Sequence, residues 1–260
     1  MSCHACFADY GEHIELGFQG WLSTLDLIAA ETEGNYKVKI TFAGGEPTLI
    51  GFLPELVFHA KNLGMSTGII TNGSLLDEHC LDRFADTLDW VGISIDSIDS
   101  DRNERLGRHV NGQVIKPEAY LSICRAIKDR GLKLKVNTVV SKLNQMEDFS
   151  QFIMATQADR WKVMQLLLVS GQNDSAKDLA VTSHDFDSFV QRHQWYPGIV
   201  VEKSESMLCS YAMVDPSGRP YGNGSGIVRF GTPVSSGGFL KQLDALGYKR
   251  EMTERRGGFY

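Results

Sequence analysis

Two thiols open the chain. Cys3 and Cys6 stand two residues apart, and an aromatic residue, Phe7, follows at once. A Cys-x-x-Cys pair is suited to ligating a metal or an iron–sulfur cluster, and two thiolates are only part of such a ligand set. The second chemically pointed group is cationic. Side chains at i and i+2 of a strand share a face. "KVKITF" therefore puts Lys37, Lys39 and Thr41 together, "KLKVN" joins Lys133, Lys135 and Asn137, and "RWK" joins Arg160 and Lys162. A solvated face usually explains such alternation. Here helices should cover the outer side of each strand, so these cations turn inward. Buried positive charge is costly without a partner, and an anion is expected among them. A triphosphate meets that demand through charge-assisted hydrogen bonds. The third group is "FAGGEPT", in which Gly44 and Gly45 precede Glu46. Two residues without Cβ let backbone N–H and C=O approach an amino or carboxylate group, although a tight turn explains the tripeptide equally well. "TNGS" (71–74) is turn chemistry first, and "SIDS" (94–97) sets polar residues at a strand end.

These groups need a scaffold, and the chain spells one out. Apolar runs at 36–43, 66–72, 89–96, 132–140, 160–168 and 198–203 read as strands. Amphipathic stretches near 51–63, 76–86, 117–130, 146–156 and 183–193 read as helices between them. A first helix carries Ile14, Phe18, Trp21, Leu22, Leu25 and Ile28 on one face. Strand and helix alternate at the spacing of a βα unit. Six units predict an α/β fold, a partial (βα)6 TIM-like barrel; eight would close it, and a doubly wound open sheet is the alternative. In a parallel barrel the active face lies at the C-terminal ends of the strands. The expected division is a barrel over residues 1–203 and an irregular C-terminal extension over 204–260. That extension, rich in Gly, Ser and Pro, reads as loops that order over a ligand.

The chain has 260 residues and a net charge of −6, which argues against a nucleic-acid binder. No apolar run is long enough for a membrane span, and the start resembles no signal peptide. Five cysteines without a secretion signal suggest a reducing compartment, hence the cytoplasm. Cys80 and Cys124 read as buried small hydrophobes. His59, His79, His109, His184 and His193 show no ligand spacing and read as surface or capping residues. A monomer is expected.

The motifs occur together in a known order. "CxxCF", "FAGGEP", "TNGSL", "DWVGISIDS", "LGR", "KVNTVV" and "RWKVMQLL" resemble a radical S-adenosylmethionine enzyme, and more closely the viperin family in its prokaryotic form. The resemblance runs from Cys3 to about Tyr211 and resumes at "RRGGFY" (255–260). It implies a [4Fe–4S] cluster held by Cys-x-x-x-Cys-x-x-Cys. Cys3 and Cys6 match the last two cysteines, and the first would fall just before Met1. It implies S-adenosylmethionine at Gly44, Gly45 and Glu46, with Asn72, Ser94 and Arg108 supporting the same cofactor. For the nucleotide it implies Lys39, Lys135, Asn137, Arg160 and Lys162 around triphosphate and sugar, with Tyr211 in a segment that closes over the substrate. The implied reaction is radical dehydration of a ribonucleoside triphosphate, CTP first, with UTP or GTP as alternatives. Hydrogen is taken from C4′ and the 3′-hydroxyl leaves as water, giving a 3′-deoxy-3′,4′-didehydro nucleotide. An electron-donating reductant and an antiviral role are implied as well. The stretch 212–250 matches the family poorly, so no proton donor is assigned. Two other readings compete: a cluster-free homologue that only binds nucleoside triphosphates, and a radical enzyme acting on a peptide.

Overall fold

The computed structural model describes residues 3–6, 15–84, 86–224 and 226–255. Phe7, Ile14, and the last residues of "RRGGFY" lie outside them. Helix α1 (Phe18–Thr32) leads into β1 (Lys39–Phe42), α2 (Leu53–Asn62) and β2 (Ser66–Thr71). Then come α3 (Glu78–Asp82), β3 (Trp90–Ser94), α4 (Ser100–Arg105) and a hairpin of β4 (His109–Val110) and β5 (Gln113–Val114). The alternation resumes with α5 (Pro117–Asp129), β6 (Lys133–Val140), α6 (Ser150–Thr156), β7 (Arg160–Gln165), α7 (Ser183–His193) and β8 (Ile199–Glu202).

Six strands form one sheet in the order β1-β2-β3-β6-β7-β8, and every pairing in it is parallel. This is the expected (βα)6 arrangement; β1 and β8 form its two edges, and no pairing joins them among the described residues. The period-2 pattern decides which side each residue faces. Ile69, Val91, Ile93, Leu134, Val136, Trp161 and Val163 pack with Tyr120, Ile127, Phe152, Phe186 and Phe189 in the main core between sheet and helices. Lys39, Gly92, Lys135, Asn137, Arg160 and Lys162 alternate with them and take the other face. Burying that many aliphatic and aromatic side chains, at about 1.5–3 kcal/mol each, holds the polar face in place.

Two expectations are corrected here. His193 is not a surface residue: it is fully buried, with Nδ1 2.8 Å from the Phe189 carbonyl and Nε2 accepting from the Phe149 N–H at 3.0 Å. It stacks at 4.4 Å on Phe189, the apolar position one helical turn before it. The tail is not simply loops either. After α8 (Ser204–Met207) it forms a small antiparallel sheet of β9 (Met213–Val214), β10 (Pro220–Gly222) and β11 (Arg229–Phe230), then α9 (Phe239–Ala245) and α10 (Arg250–Arg255). Val234, Phe239 and Leu243 are buried in a second core with Leu25 and Ile28 of α1 and Leu56 of α2. The Glu31 carboxylate clasps this end, accepting from the N–H groups of Phe239 at 2.8 Å and Leu240 at 3.0 Å. No helix among the described residues is long and apolar enough to cross a membrane.

Candidate functional site

The cofactor-side residues gather at the C-terminal ends of β1, β2 and β3. Glu46 is the knot. Its Oε1 accepts from Thr71 Oγ1 at 2.6 Å and from Thr48 Oγ1 at 2.5 Å, and its Oε2 accepts from the Asn72 N–H at 2.8 Å. A carboxylate so satisfied fixes the turn after β1 against the turn after β2. The Asn72 side chain in turn accepts from the Ser74 N–H at 2.7 Å. Gly44 adopts φ +93, in the left-handed region that glycine enters without strain. A Cβ built at Gly44 or Gly45 would meet nothing within 4 Å. The turn is therefore held open by its own flanks, and its backbone faces free space. A small zwitterion's amino and carboxylate groups fit such a cradle. That is the test S-adenosylmethionine's methionine end must pass, and the turn passes it.

Arg108 ties the end of β3 to the first thiol. It is buried, its Nη1 lies 2.9 Å from Asp96 Oδ2, and its Nη2 donates to the Ser94 carbonyl at 2.6 Å. Nη1 also donates to Cys3 Sγ at 3.5 Å. Burial works against the guanidinium's charge, but Asp96 and Cys3 overcome it and hold the charge firmly in place. Its Nε is buried without a hydrogen-bond partner. Burial pushes the Cys3 thiol up, with Arg108 pulling the other way. The loop bearing the cysteines is pinned further by the His4 N–H on the Leu106 carbonyl at 3.1 Å and by Asn173 Nδ2 on the Ala5 carbonyl at 3.2 Å. Cys3 and Cys6 fit two corners of a cluster. Among the described residues no group of three His, Cys, Asp or Glu could hold a metal ion.

The second half of the site lies deeper in the sheet's interior face. Register sets its layers. Gly92 pairs with Lys135 and Lys135 with Arg160; one step toward the strand ends, Ser94 pairs with Asn137 and Asn137 with Lys162. Gly92 sits close to its neighbours: a Cβ there would stand 3.1 Å from Ile70 Cγ1 and 3.2 Å from both Lys135 Cε and Asn137 Nδ2, so those side chains would have to shift slightly. Lys135 is 6% exposed, and burial, with repulsion from Lys162 and Lys39, drives its pKa down to about 7. Lys39 is lowered to about 8 by burial and by Arg160. Its ammonium stands 4.6 Å from the Trp90 ring centre, and that of Lys133 stands 5.2 Å from it. Such contacts contribute about 0.5–1 kcal/mol each. Four cations from β1, β6 and β7 thus feel one another across a half-buried interior, as the strand-face reading expects. Asn137 Oδ1 is buried there without a hydrogen-bond partner.

Lys162 has its partners within the chain. Lys162 Nζ lies 2.8 Å from Glu202 Oε1 and donates to the Tyr211 hydroxyl at 2.7 Å. Burial opposes its charge, yet Tyr211 and Glu202 raise its pKa. The interior is thus partly compensated from within, which the sequence reading did not anticipate. Trp90 and Asp96 lie within the DWVGISIDS stretch without an assigned role, and Glu202 escaped notice because it is a lone acid outside any motif. Exposed Lys37 stands apart from the group.

Comparison with known proteins places this geometry in a family. The model of the radical SAM superfamily matches residues 1–154. An S-adenosylmethionine-dependent nucleotide dehydratase of Flammeovirga pacifica is 36% identical over 267 residues, covering 100% of this chain and 91% of that protein. One of the same name from Lacinutrix mariniflava is 36% identical over 266 residues, again across 100% of this chain; the chain spans 56% of that relative's length. A Danio rerio relative of that name is 30% identical over 233 residues, covering 85% of this chain and 65% of its own. Among solved structures, anSMEcpe with bound AdoMet superimposes with a TM-score of 0.68 at 14% identity, covering 98% of this chain and 78% of that one. Streptococcus suis SuiB bound to its precursor peptide gives 0.66 at 16% identity, covering 97% and 63%. These two likenesses speak to the fold alone. On its matched residues and its relatives, the chain belongs to the radical SAM superfamily and, within it, to the S-adenosylmethionine-dependent nucleotide dehydratases, whose cofactors are a [4Fe–4S] cluster and S-adenosylmethionine.

Proposed function

We propose that this protein dehydrates a ribonucleoside triphosphate by radical chemistry, with CTP as the first candidate and UTP or GTP as alternatives. The observation that carries the reading is one sheet face that gathers Lys39, Lys135, Arg160 and Lys162, with the open Gly44–Gly45 turn following the strand that carries Lys39. A peptide substrate has no need of four cations at that depth; a triphosphate does. The cluster and S-adenosylmethionine, when bound, supply a carbon-centred radical that removes a hydrogen atom from the substrate. The chain's own residues do the rest. Gly44 and Gly45 receive the cofactor's methionine end through bare backbone, with Glu46, Asn72, Ser94 and Arg108 fixing the surroundings. Cys3 and Cys6 ligate the cluster beside the Arg108 charge. Lys39, Lys135 and Arg160 grip phosphates, and Asn137 and Lys162 reach the sugar level. Tyr211, whose hydroxyl touches Lys162, presents its ring toward the same space. Holding both ends removes the orientational entropy of bringing C4′ to the radical source. Closure by the extension beyond residue 204 excludes water.

The product of such a reaction lacks a 3′-hydroxyl, so a polymerase that incorporates it cannot extend, and we read an antiviral role from that chemistry. The setting we infer is a cytoplasmic monomer fed by an electron-donating reductant. A second reading, a cluster-free nucleotide binder, draws on the two thiolates among the described residues. One experiment separates them. The cluster is rebuilt anaerobically in protein that carries a cysteine four positions before Cys3, and each nucleoside triphosphate is added with S-adenosylmethionine. Nucleotide-stimulated 5′-deoxyadenosine supports the dehydratase; nucleotide binding with no 5′-deoxyadenosine from any triphosphate leaves the binder.

A further inference from the structure

Glu202 closes β8, the last strand of the sheet, and its side chain is 3% exposed. No motif marks it. Its two oxygens are used separately: Oε1 lies 2.8 Å from Lys162 Nζ, and Oε2 accepts from the Tyr211 hydroxyl at 2.7 Å. Lys162 donates to that same hydroxyl at 2.7 Å, so the three groups form a closed ring. Register locates it. Glu202 pairs with Met164, two residues beyond Lys162, and Lys162 stands level with Asn137 and Ser94. The ring therefore sits toward the strand ends, one layer above Lys135 and Arg160.

This carboxylate acts in two opposed ways. It lowers the positive potential that an incoming polyphosphate meets, since any phosphate approaching Lys162 must compete with it. A pocket built for phosphate affinity alone would hold no buried acid beside its lysine. What the acid provides is geometry. It makes the tyrosine hydroxyl a donor toward Glu202 and an acceptor from Lys162, and it confines a long lysine side chain to one arrangement. The charged and titratable groups shown to interact with it are Lys162 from β7, Lys135 from β6 and Tyr211 from the segment after α8; Arg160 and Lys39 act on the same lysines.

We propose that Glu202 is a positioning residue, an internal counter-ion that gives up phosphate affinity to fix Lys162 and Tyr211 at the sugar end of the nucleotide. The inference rests on the nucleotide reading above. Inorganic tripolyphosphate, a phosphate chain with no sugar, is the probe, titrated calorimetrically into the full chain. Glu202→Gln keeps the shape and removes the charge; it binds tripolyphosphate about fivefold more tightly than the unaltered protein. With cluster and S-adenosylmethionine loaded and nucleotide saturating, the same variant forms 5′-deoxyadenosine about tenfold more slowly. Glu202→Asp keeps the charge but shortens the reach; its tripolyphosphate affinity stays within about twofold while its turnover falls alike. A merely structural role weakens binding and turnover together. Unchanged or weaker tripolyphosphate binding by a folded Glu202→Gln overturns the proposal. Should that variant not fold, Glu202→Asp decides: full turnover overturns it, and slow turnover with unaltered binding upholds it. An unaltered protein that binds neither tripolyphosphate nor any nucleoside triphosphate overturns the nucleotide reading itself. That differs from binding which Glu202→Gln fails to tighten.

Discussion

The two ends of the site are built on opposite electrostatic plans. At the cofactor end, charges are matched before anything binds: Arg108 has Asp96, and Glu46 has hydroxyls and a backbone N–H. In the interior, Lys135 is buried among other cations and lowered to about 7. A matched network is rigid and stabilising as it stands; an unmatched one stores cost that a ligand removes. The contrast is between a network closed as it stands and a buried lysine, Lys135, whose cost a bound anion would remove.

Three substitutions break or sharpen that contrast. The largest effect falls on the matched end. Arg108→Ala leaves Asp96 buried without its cation and lowers stability by about 3–5 kcal/mol, read by chemical denaturation. A loss below about 1 kcal/mol would mean that the pair is not load-carrying in this protein. Lys135→Met does the reverse in the interior. It weakens nucleoside triphosphate binding by about 2–5 kcal/mol, yet it raises the melting temperature of the ligand-free protein. The pH dependence gives the sign. In the unfolded chain Lys135 keeps its proton up to its ordinary pKa near 10.5, while in the folded protein it loses it near 7. Between those values the unfolded state binds more protons, so this group's contribution makes stability rise with pH and reach its full gain above the upper value. The slope shrinks in Lys135→Met. Phosphate binding restores the charge, so nucleotide titrations at pH 8 in buffers of different ionisation enthalpy show proton uptake in the unaltered protein and less in the variant. The smallest effect is at Gly45. Gly45→Ala meets open space and shifts stability by less than about 0.5 kcal/mol, while cofactor affinity falls because the new methyl occupies the cradle. Unchanged affinity there would remove the turn from the cofactor's path.

Much of this was readable from residue order. The six strands declare themselves as short apolar runs alternating with amphipathic stretches, and each lies within a few residues of its expected span. The lysines could be chosen because one argument, that helices cover the outer face, applies to every strand. What escaped depends on distance across the sheet. Glu202 is one acid at a strand end, and only the β7–β8 register brings it to Lys162. Asp96 lies in a stretch noted simply as polar, and its role appears once Arg108 folds back over the ends of β3 and β6. His193 and the tail were misread for a different reason. In both, composition outweighed periodicity: Phe186, Phe189 and His193 share one helical face, and Phe239 and Leu243 are one turn apart. Glycine and serine around Val234 suggested loops, but a few well-spaced apolar side chains suffice to seat a segment on α1.

The bare backbone at Gly92 has a wider implication. Its missing methyl leaves the space into which the neighbouring strand β6 sends Lys135 and Asn137. A side chain at that single position would press on Ile70, Lys135 and Asn137 together, so one substitution on β3 would shift two polar groups of the interior at once.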